Sequence, residues 1–172
     1  MREQIQTIPV NEAFDAHDEC PFCNMERTVE QRTIRYVLGP GASYMEPDVR
    51  AATDAAGFCR HHLQKMYEYG NALGNALVMQ TYYVGMIKEL ENQIDSFQMP
   101  GKRGLFTKKN EEELPIAKWA REKNDRCFLC ERLKYNMNRY YTTFFYMIKD
   151  EAFREKVENC KGFCMHHFAA LL

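Results

Sequence analysis

The sequence lacks the features that place a protein in or across a membrane. Nowhere among its 172 residues is there an uninterrupted apolar run of about 18 residues, the length that a transmembrane helix needs. The first ten residues, Met1–Val10, are polar and lack the apolar segment of a signal peptide. We therefore expect a cytoplasmic protein that has no membrane-spanning helix and keeps its thiols reduced.

An excess of one charge is also missing. Lys and Arg number 23, Asp and Glu number 24, and the formal net charge is -1. Nucleic-acid-binding proteins usually carry a clear basic surplus, so nucleic acid is not an expected partner. The chain shows no Ser-His-Asp order, no paired acid and base carboxylates and no glycine-rich phosphate loop. The sequence therefore predicts no catalytic and no cofactor-binding residues, and a non-enzymatic role is favoured over an enzyme.

Patterns of β-structure are absent as well. No segment alternates apolar and polar residues between turn signals, as a half-buried strand does. Apolar residues make up 45% of the chain, which is enough to build a core and argues against disorder. These observations predict an all-α protein.

What the sequence does contain is an internal repeat rich in cysteine and histidine. Cys20-Pro-Phe-Cys23 is matched by Cys127-Phe-Leu-Cys130, and Gly57-Phe-Cys-Arg-His-His62 by Gly162-Phe-Cys-Met-His-His167. The interval from the second to the third cysteine is 36 residues in the first copy and 34 in the second. A repeat at this scale indicates two similar substructures.

The repeated residue types are those that bind zinc. A C-x-x-C turn directs two thiolates toward one ion, and a Cys and a His three residues apart on a helix lie about 60° from each other. The predicted sets, one in each copy, are Cys20, Cys23, Cys59, His62 and Cys127, Cys130, Cys164, His167. Each would be a closed Cys3His site, giving two zinc ions per chain.

Several alternatives to this assignment remain open. If each second helix begins after its cysteine, His61 and His166 could replace His62 and His167 as ligands. Iron–sulfur clusters are a less favoured occupant, because their cysteine runs are usually denser. A redox dithiol is a further alternative, although no βαβ context surrounds Cys20. Cys160 has no counterpart in the first copy and is expected to be a packed thiol.

Breaker residues suggest how the helices are arranged. Short helices are expected at about residues 11–18 and before Cys127, and longer ones at about 20–38, 47–57, 58–97, 128–149 and 151–159. Residues 1–97 would form a first Cys3His unit, 98–115 a linker and 116–172 a second unit. Only five residues follow His167, so we expect the last helix to be truncated.

The long helix expected at 58–97 carries an apolar stripe. Its members are spaced alternately by three and four residues, close to a heptad repeat: Leu63, Met66, Gly70, Leu73, Leu77, Val84, Ile87 and Ile94. Packing within the chain is one interpretation, and a homodimer seam through the 63–94 helix is the other. A further cluster of Tyr and Phe between residues 82 and 146 is expected to be mostly core, with a part that could line a groove.

The duplicated C-x-x-C and G-F-C-x-x-H-H motifs resemble an uncharacterised bacterial family, a domain of unknown function. The resemblance covers most of the chain, from about Cys20 to His167. It implies helices and metal binding but no activity. We therefore expect a zinc-stabilised helical binding or scaffold module with an unidentified protein or small-molecule partner. A redox- or metal-responsive sensor that uses zinc-bound thiolates is the alternative.

Overall fold

A computed structural model of the chain describes residues 5–98 and 113–172. Within these two ranges the regular structure consists of helices alone, so the predicted all-α class is confirmed. The α-helices are α1 (Thr7–Asp15), α2 (Pro21–Leu38), α3 (Pro47–Ala56), α4 (Arg60–Glu68), α5 (Ala72–Asp95), α6 (Pro115–Asp125), α7 (Phe128–Met147), α8 (Glu151–Glu158) and α9 (Met165–Leu171), and a short 3₁₀ helix spans Ser43–Met45.

Proline and glycine set several of these boundaries. Pro21, Pro47 and Pro115 each stand at the start of a helix, where the missing N–H of proline costs no hydrogen bond. Helix α2 ends at Leu38, directly before the Gly39-Pro40 pair, because proline cannot continue a helix.

The prediction of a single helix over residues 58–97 is wrong. The structure has two helices there, α4 and α5. Gly70 has a left-handed φ of 88°. Glycine adopts this conformation more easily than any other residue, and it commonly ends a helix. Asn71 then caps α5, because its side chain accepts a hydrogen bond from the backbone N–H of Gly74 at 2.9 Å.

The linker expected at 98–115 lies mostly outside the described residues, which resume at Glu113. Pro115 already belongs to α6, the short helix that carries Trp119. The linker expectation therefore stays a prediction for residues 99–112.

The chain divides into two compact units that do not follow the tandem order of the repeat. One unit joins the two ends of the chain, Met1–Tyr36 and Leu129–Leu172, and the other is the central segment Val37–Phe128. The expected division into 1–97 and 116–172 assumed that each copy of the repeat folds on itself. The first unit instead combines helices from both copies.

Aromatic rings form the centre of the first unit. Phe14 of α1 is only 3% exposed and stacks on Phe144 of α7 at 5.9 Å between ring centroids. It also meets the ring of Phe153 on α8 edge-on at 5.0 Å. The end segments of the chain are thus packed together through α1, α7 and α8.

The aromatic cluster between residues 82 and 146 is core only in part. Tyr140 and Phe144 are buried, whereas Tyr83, Tyr135, Phe145 and Tyr146 are exposed. The buried members are four residues apart on α7 and therefore share one face of that helix.

Helix α5 is the centre of the second unit. It packs against α3, where Thr81 donates a hydrogen bond to Asp54 at 2.8 Å. On another side, Glu89 accepts hydrogen bonds from Trp119 and Lys123 of α6, each at 2.9 Å. These contacts hold α3 and α6 against α5.

None of the helices in the described ranges has the length and apolar character needed to cross a membrane.

Replacing Phe14 by Ala should lower the free energy of unfolding by about 3–5 kcal/mol, because the ring leaves a cavity among Phe144, Phe153 and their neighbours. Urea denaturation of both proteins would measure this loss. Tyr146→Ala is the control, since that side chain is 45% exposed and its removal should cost about 1 kcal/mol or less. Equal losses in the two variants would contradict the assignment of Phe14 to the core.

Candidate metal centre

The first cluster joins the beginning of α2 to the beginning of α9. It consists of Cys20, Cys23, Cys164 and His167, whose side-chain donor atoms all lie within 4.8 Å of one another. All four residues belong to the unit formed by the two ends of the chain.

The distances in this cluster match a tetrahedral ion. The Nδ1 atom of His167 lies 3.1 Å from the sulfur of Cys164, 3.4 Å from that of Cys23 and 3.7 Å from that of Cys20. The sulfurs of Cys23 and Cys164 are 3.5 Å apart. Tetrahedral zinc with ordinary bond lengths would separate sulfur and nitrogen by about 3.5 Å and two sulfurs by about 3.8 Å. The donor set therefore fits one ion with little movement.

The second cluster has the same composition and joins α4 to α7. It consists of Cys59, His62, Cys127 and Cys130. The Nδ1 atom of His62 lies 3.2 Å from the sulfur of Cys59 and 3.3 Å from that of Cys127. Cys130 follows Cys127 within the same C-x-x-C, in the first turn of α7.

The two clusters overturn the predicted pairing. Cys20 and Cys23 were expected with Cys59 and His62, but the structure brings them to Cys164 and His167. The second C-x-x-C is likewise brought to the first G-F-C-x-x-H-H, and not to the one in its own copy. The ligands are exchanged between the two copies of the repeat.

Aromatic residues of the motifs are in contact in the exchanged pairing. In the first unit, the ring of Phe22 from C-P-F-C lies 5.8 Å from that of Phe163 from G-F-C. In the second unit, Phe58 and Phe128 form the equivalent pair at 6.5 Å. The backbone N–H of Phe128 also donates to the carbonyl of Gly57 at 2.9 Å. These contacts hold each C-x-x-C against the second motif of the other copy.

Local geometry explains why the cysteine and the last histidine face the same way. Cys59 and Cys164 are the N-cap residues of α4 and α9, and their extended ψ angles are 160° and 158°. The sulfur of Cys164 accepts a hydrogen bond from the backbone N–H of His167 at 3.5 Å, the usual contact between an N-cap and the third helical residue. At α9 this cap brings Cys164 and His167 together, even though the helix begins after the cysteine.

The glycine of each motif supplies the turn into its N-cap. Gly57 and Gly162 have φ angles of 65° and 113°, in the left-handed region that favours glycine. At Gly57 a Cβ would also come within 2.6 Å of the hydroxyl of Tyr82. The repeated glycine is thus a backbone requirement of the site.

The neighbouring histidines lie outside the four-residue clusters. His61 and His166 are exposed, whereas His62 and His167 are 3% and 1% exposed. The geometry therefore favours His62 and His167 over the alternatives left open by the sequence. Cys160 belongs to neither cluster and packs against the aromatic core of the first unit.

The surroundings of the first cluster raise the pKa of one of its thiols and lower that of another. Burial and the neighbouring sulfurs of Cys164 and Cys20 raise the pKa of the Cys23 thiol to about 12. The backbone N–H of His167 lowers the pKa of Cys164, because a donor at a helix N-terminus favours the thiolate. Burial lowers the pKa of His167, which keeps the imidazole neutral at pH 7, as a metal ligand must be.

Glu26 is a residue of this site that the sequence did not suggest. It lies one turn after Cys23 on α2, and its Oε2 is 3.6 Å from the Nε2 of His167. The signal that could have found it is the three-residue spacing from Cys23, which puts both side chains on one face of the helix.

The whole chain, residues 1–172, matches a family of unknown function, DUF6062. The chain belongs to that family. No curated protein and no solved structure matches it. The match confirms the resemblance drawn from the duplicated motifs, and the two clusters are candidate metal sites of this chain.

The exchanged pairing predicts a specific pattern of thiol protection. In a Cys20→Ser/Cys23→Ser variant prepared in zinc-containing buffer, Cys164 should react with N-ethylmaleimide as fast as the unclustered Cys160. Cys59, Cys127 and Cys130 should stay protected, because their cluster is intact. Peptide mass spectrometry at limiting reagent would measure each rate.

Pairing within each copy would give the opposite pattern, a reactive Cys59 and a protected Cys164. The mirror variant, Cys127→Ser/Cys130→Ser, should expose Cys59 and leave Cys20, Cys23 and Cys164 protected. It controls for a general loosening of the fold, which would make all the remaining cysteines reactive in both variants.

Proposed function

We propose that the chain is a zinc protein in which two structural Cys3His sites hold short helices in place, and that it acts as a binding module. The observation that carries this proposal is the donor set of the clusters. Three sulfurs and one imidazole nitrogen converge on a common point, from segments more than 60 residues apart in the chain.

The donor chemistry favours zinc. Three thiolates and one imidazole form a common structural zinc sphere, which is tetrahedral and closed. Four protein ligands leave no position for water or substrate, so a role in catalysis at the metal is not favoured. A filled site would carry a charge of about -1, from three thiolates and one dication. The positive ends of α2 and α9, and of α4 and α7, stand at these sites and would offset that charge.

The lengths of the helices support a structural role for the metal. Helix α4 has 9 residues and α9 has 7, whereas isolated helices shorter than about 12–15 residues are marginal in water. Both begin directly after a ligand cysteine. Structural zinc supplies on the order of 10 kcal/mol of apparent free energy in small peptides, enough to order such helices.

A redox-responsive role is the second candidate, and one contact favours it. The sulfurs of Cys23 and Cys164 lie 3.5 Å apart, and neither side chain is fully buried. A peroxide could oxidise the two thiolates to a disulfide: two electrons pass to the peroxide, its O–O bond breaks, and with two protons from the solvent it leaves as two water molecules. The ion would then lose two of its ligands and be released.

Protein purified without oxygen should contain two zinc ions per chain by plasma mass spectrometry, because each cluster offers four ligands to one ion. Iron in place of zinc would redirect the proposal toward electron transfer. Protein that binds no metal when zinc is supplied would contradict it.

Measuring the zinc content again after treatment with hydrogen peroxide distinguishes the structural role from the redox-responsive role. Zinc retained at peroxide concentrations that oxidise free cysteine would favour the structural role. Rapid release of one ion, with a Cys23–Cys164 disulfide found by peptide mapping, would favour the sensor.

The binding role is supported by an apolar face on α5. Four side chains recur at intervals of four, three and four residues and are 37–57% exposed: Tyr83, Ile87, Leu90 and Ile94. They lie on the side of the helix opposite Val78, which is fully buried. Val84 and Leu73, from the stripe seen in the sequence, are exposed beside them. Alternating spacing of this kind is typical of a coiled-coil seam.

We assign this face to a second copy of the chain. A seam with 3–4 spacing is complementary to itself, because the side chains of one helix fit between those of an identical helix. A cavity of about 500 Å³ adjoins the face and shares Tyr83 with it. Its lining includes Tyr82 and Trp119 with the cations Arg60 and Lys123, and it is a secondary candidate for a small ligand.

The wild-type protein should therefore behave as a dimer in light scattering at micromolar concentrations, and Ile87→Glu should behave as a monomer. Ile87 is 52% exposed, so the charge should disrupt the seam while leaving the fold of the chain intact. Asn92→Glu is the matched control, since Asn92 is exposed on the same helix about 180° from Tyr83. A wild-type monomer, or a dimer that survives Ile87→Glu, would contradict the proposal.

A further inference from the structure

We propose that Glu26 is the hydrogen-bond partner that orients His167 for the metal, an outer-sphere residue of the first site. This inference rests on the proposed zinc binding and adds to it a residue that neither copy of the repeated motif contains. It concerns the ring nitrogen of His167 that faces away from the cysteines.

The two nitrogens of the His167 ring have different surroundings. Nδ1 faces the three sulfurs at 3.1–3.7 Å, which is where the ion would sit. Nε2 is buried and makes no hydrogen bond. The acceptor near it is the carboxylate of Glu26, with Oε2 at 3.6 Å.

Metal binding decides where the proton of this ring must be. A neutral imidazole carries one proton, and a nitrogen that ligates a metal cannot hold it. With Nδ1 on the ion, the proton stands on Nε2, which is then a buried donor. A buried donor without an acceptor destabilises the folded state, so a carboxylate that accepts its hydrogen bond stabilises the metal-bound ring.

Glu26 is placed to accept this proton. Its side chain is 38% exposed, so the carboxylate can move the few tenths of an ångström that separate 3.6 Å from a hydrogen bond. It stands three residues after Cys23 on α2, so one helix face carries both a ligand and the residue that orients another ligand.

The ring itself has little freedom to turn away. It stacks on Phe22 at 5.8 Å and lies 6.4 Å from the ring of Tyr141. Aromatic packing thus fixes the ring plane, while Glu26 fixes which nitrogen carries the proton. Carboxylate–histidine–metal chains of this kind are common in zinc proteins.

The test is the zinc affinity of each site, measured by competition with a chromophoric chelator. Glu26→Ala should weaken the first site 10–100-fold, the usual effect of losing an outer-sphere partner. Glu26→Gln keeps an acceptor oxygen and should lose less. The second site, whose ligands are Cys59, His62, Cys127 and Cys130, is the internal reference and should keep its affinity.

A spectroscopic readout separates orientation from general stability. In zinc-loaded wild-type protein, nitrogen-15 NMR should show Nδ1 of His167 bound to metal and a slowly exchanging proton on Nε2. Glu26→Ala should accelerate that exchange. Glu158→Ala removes an exposed carboxylate of the same unit that belongs to neither cluster; it is the control and should leave both the exchange rate and the affinity unchanged.

An unchanged affinity of the first site in Glu26→Ala would overturn the inference, and so would equal weakening of the two sites. Neither result would affect the proposed zinc binding, which depends on the wild-type protein taking up two ions. A wild-type protein that takes up none would overturn both.

Discussion

Cysteine side chains at helix N-termini are the feature on which the arrangement of this protein depends. Four helices, α2, α4, α7 and α9, begin beside a cluster of three cysteines and one histidine. A helix N-terminus offers unpaired N–H groups and a partial positive charge, both of which stabilise thiolates. The backbone N–H of His167 acts in this way on Cys164 and lowers the pKa of its thiol, whereas burial raises the pKa of Cys23.

The exchange of motifs between the two copies changes what the clusters do for the fold. A site made within one copy would close a loop of about forty residues. The first cluster instead brings together Cys20 and His167, which are 147 residues apart. An ion bound there would join the two end segments of the chain, which already pack together through Phe14, Phe144 and Phe153. Closing a longer loop removes more conformational entropy from the unfolded chain, although the gain grows slowly with length.

The two sites are alike in their ligands but not in their surroundings. At the first site, His167 stacks on Phe22 and has a carboxylate near its second nitrogen. At the second, the Gly57 carbonyl accepts from the backbone of Phe128, and a Cβ on Gly57 would collide with Tyr82. The repeat thus preserves the donor residues, while each cluster has its own aromatic and backbone contacts.

The sequence by itself determined the helical class, the eight candidate ligands and the family. Helical class follows from apolar spacing, and ligand identity follows from residue type, because sulfur and imidazole are the donors that zinc prefers. The break at Gly70 was also readable in principle, since glycine ends helices. The tertiary structure alone decided which C-x-x-C meets which histidine, because pairing depends on contacts such as Phe22 with Phe163 that link residues far apart in the chain. It also decided the place of Glu26: its spacing from Cys23 puts it on the face of α2 that carries a cluster residue, but only the fold brings His167 to that face.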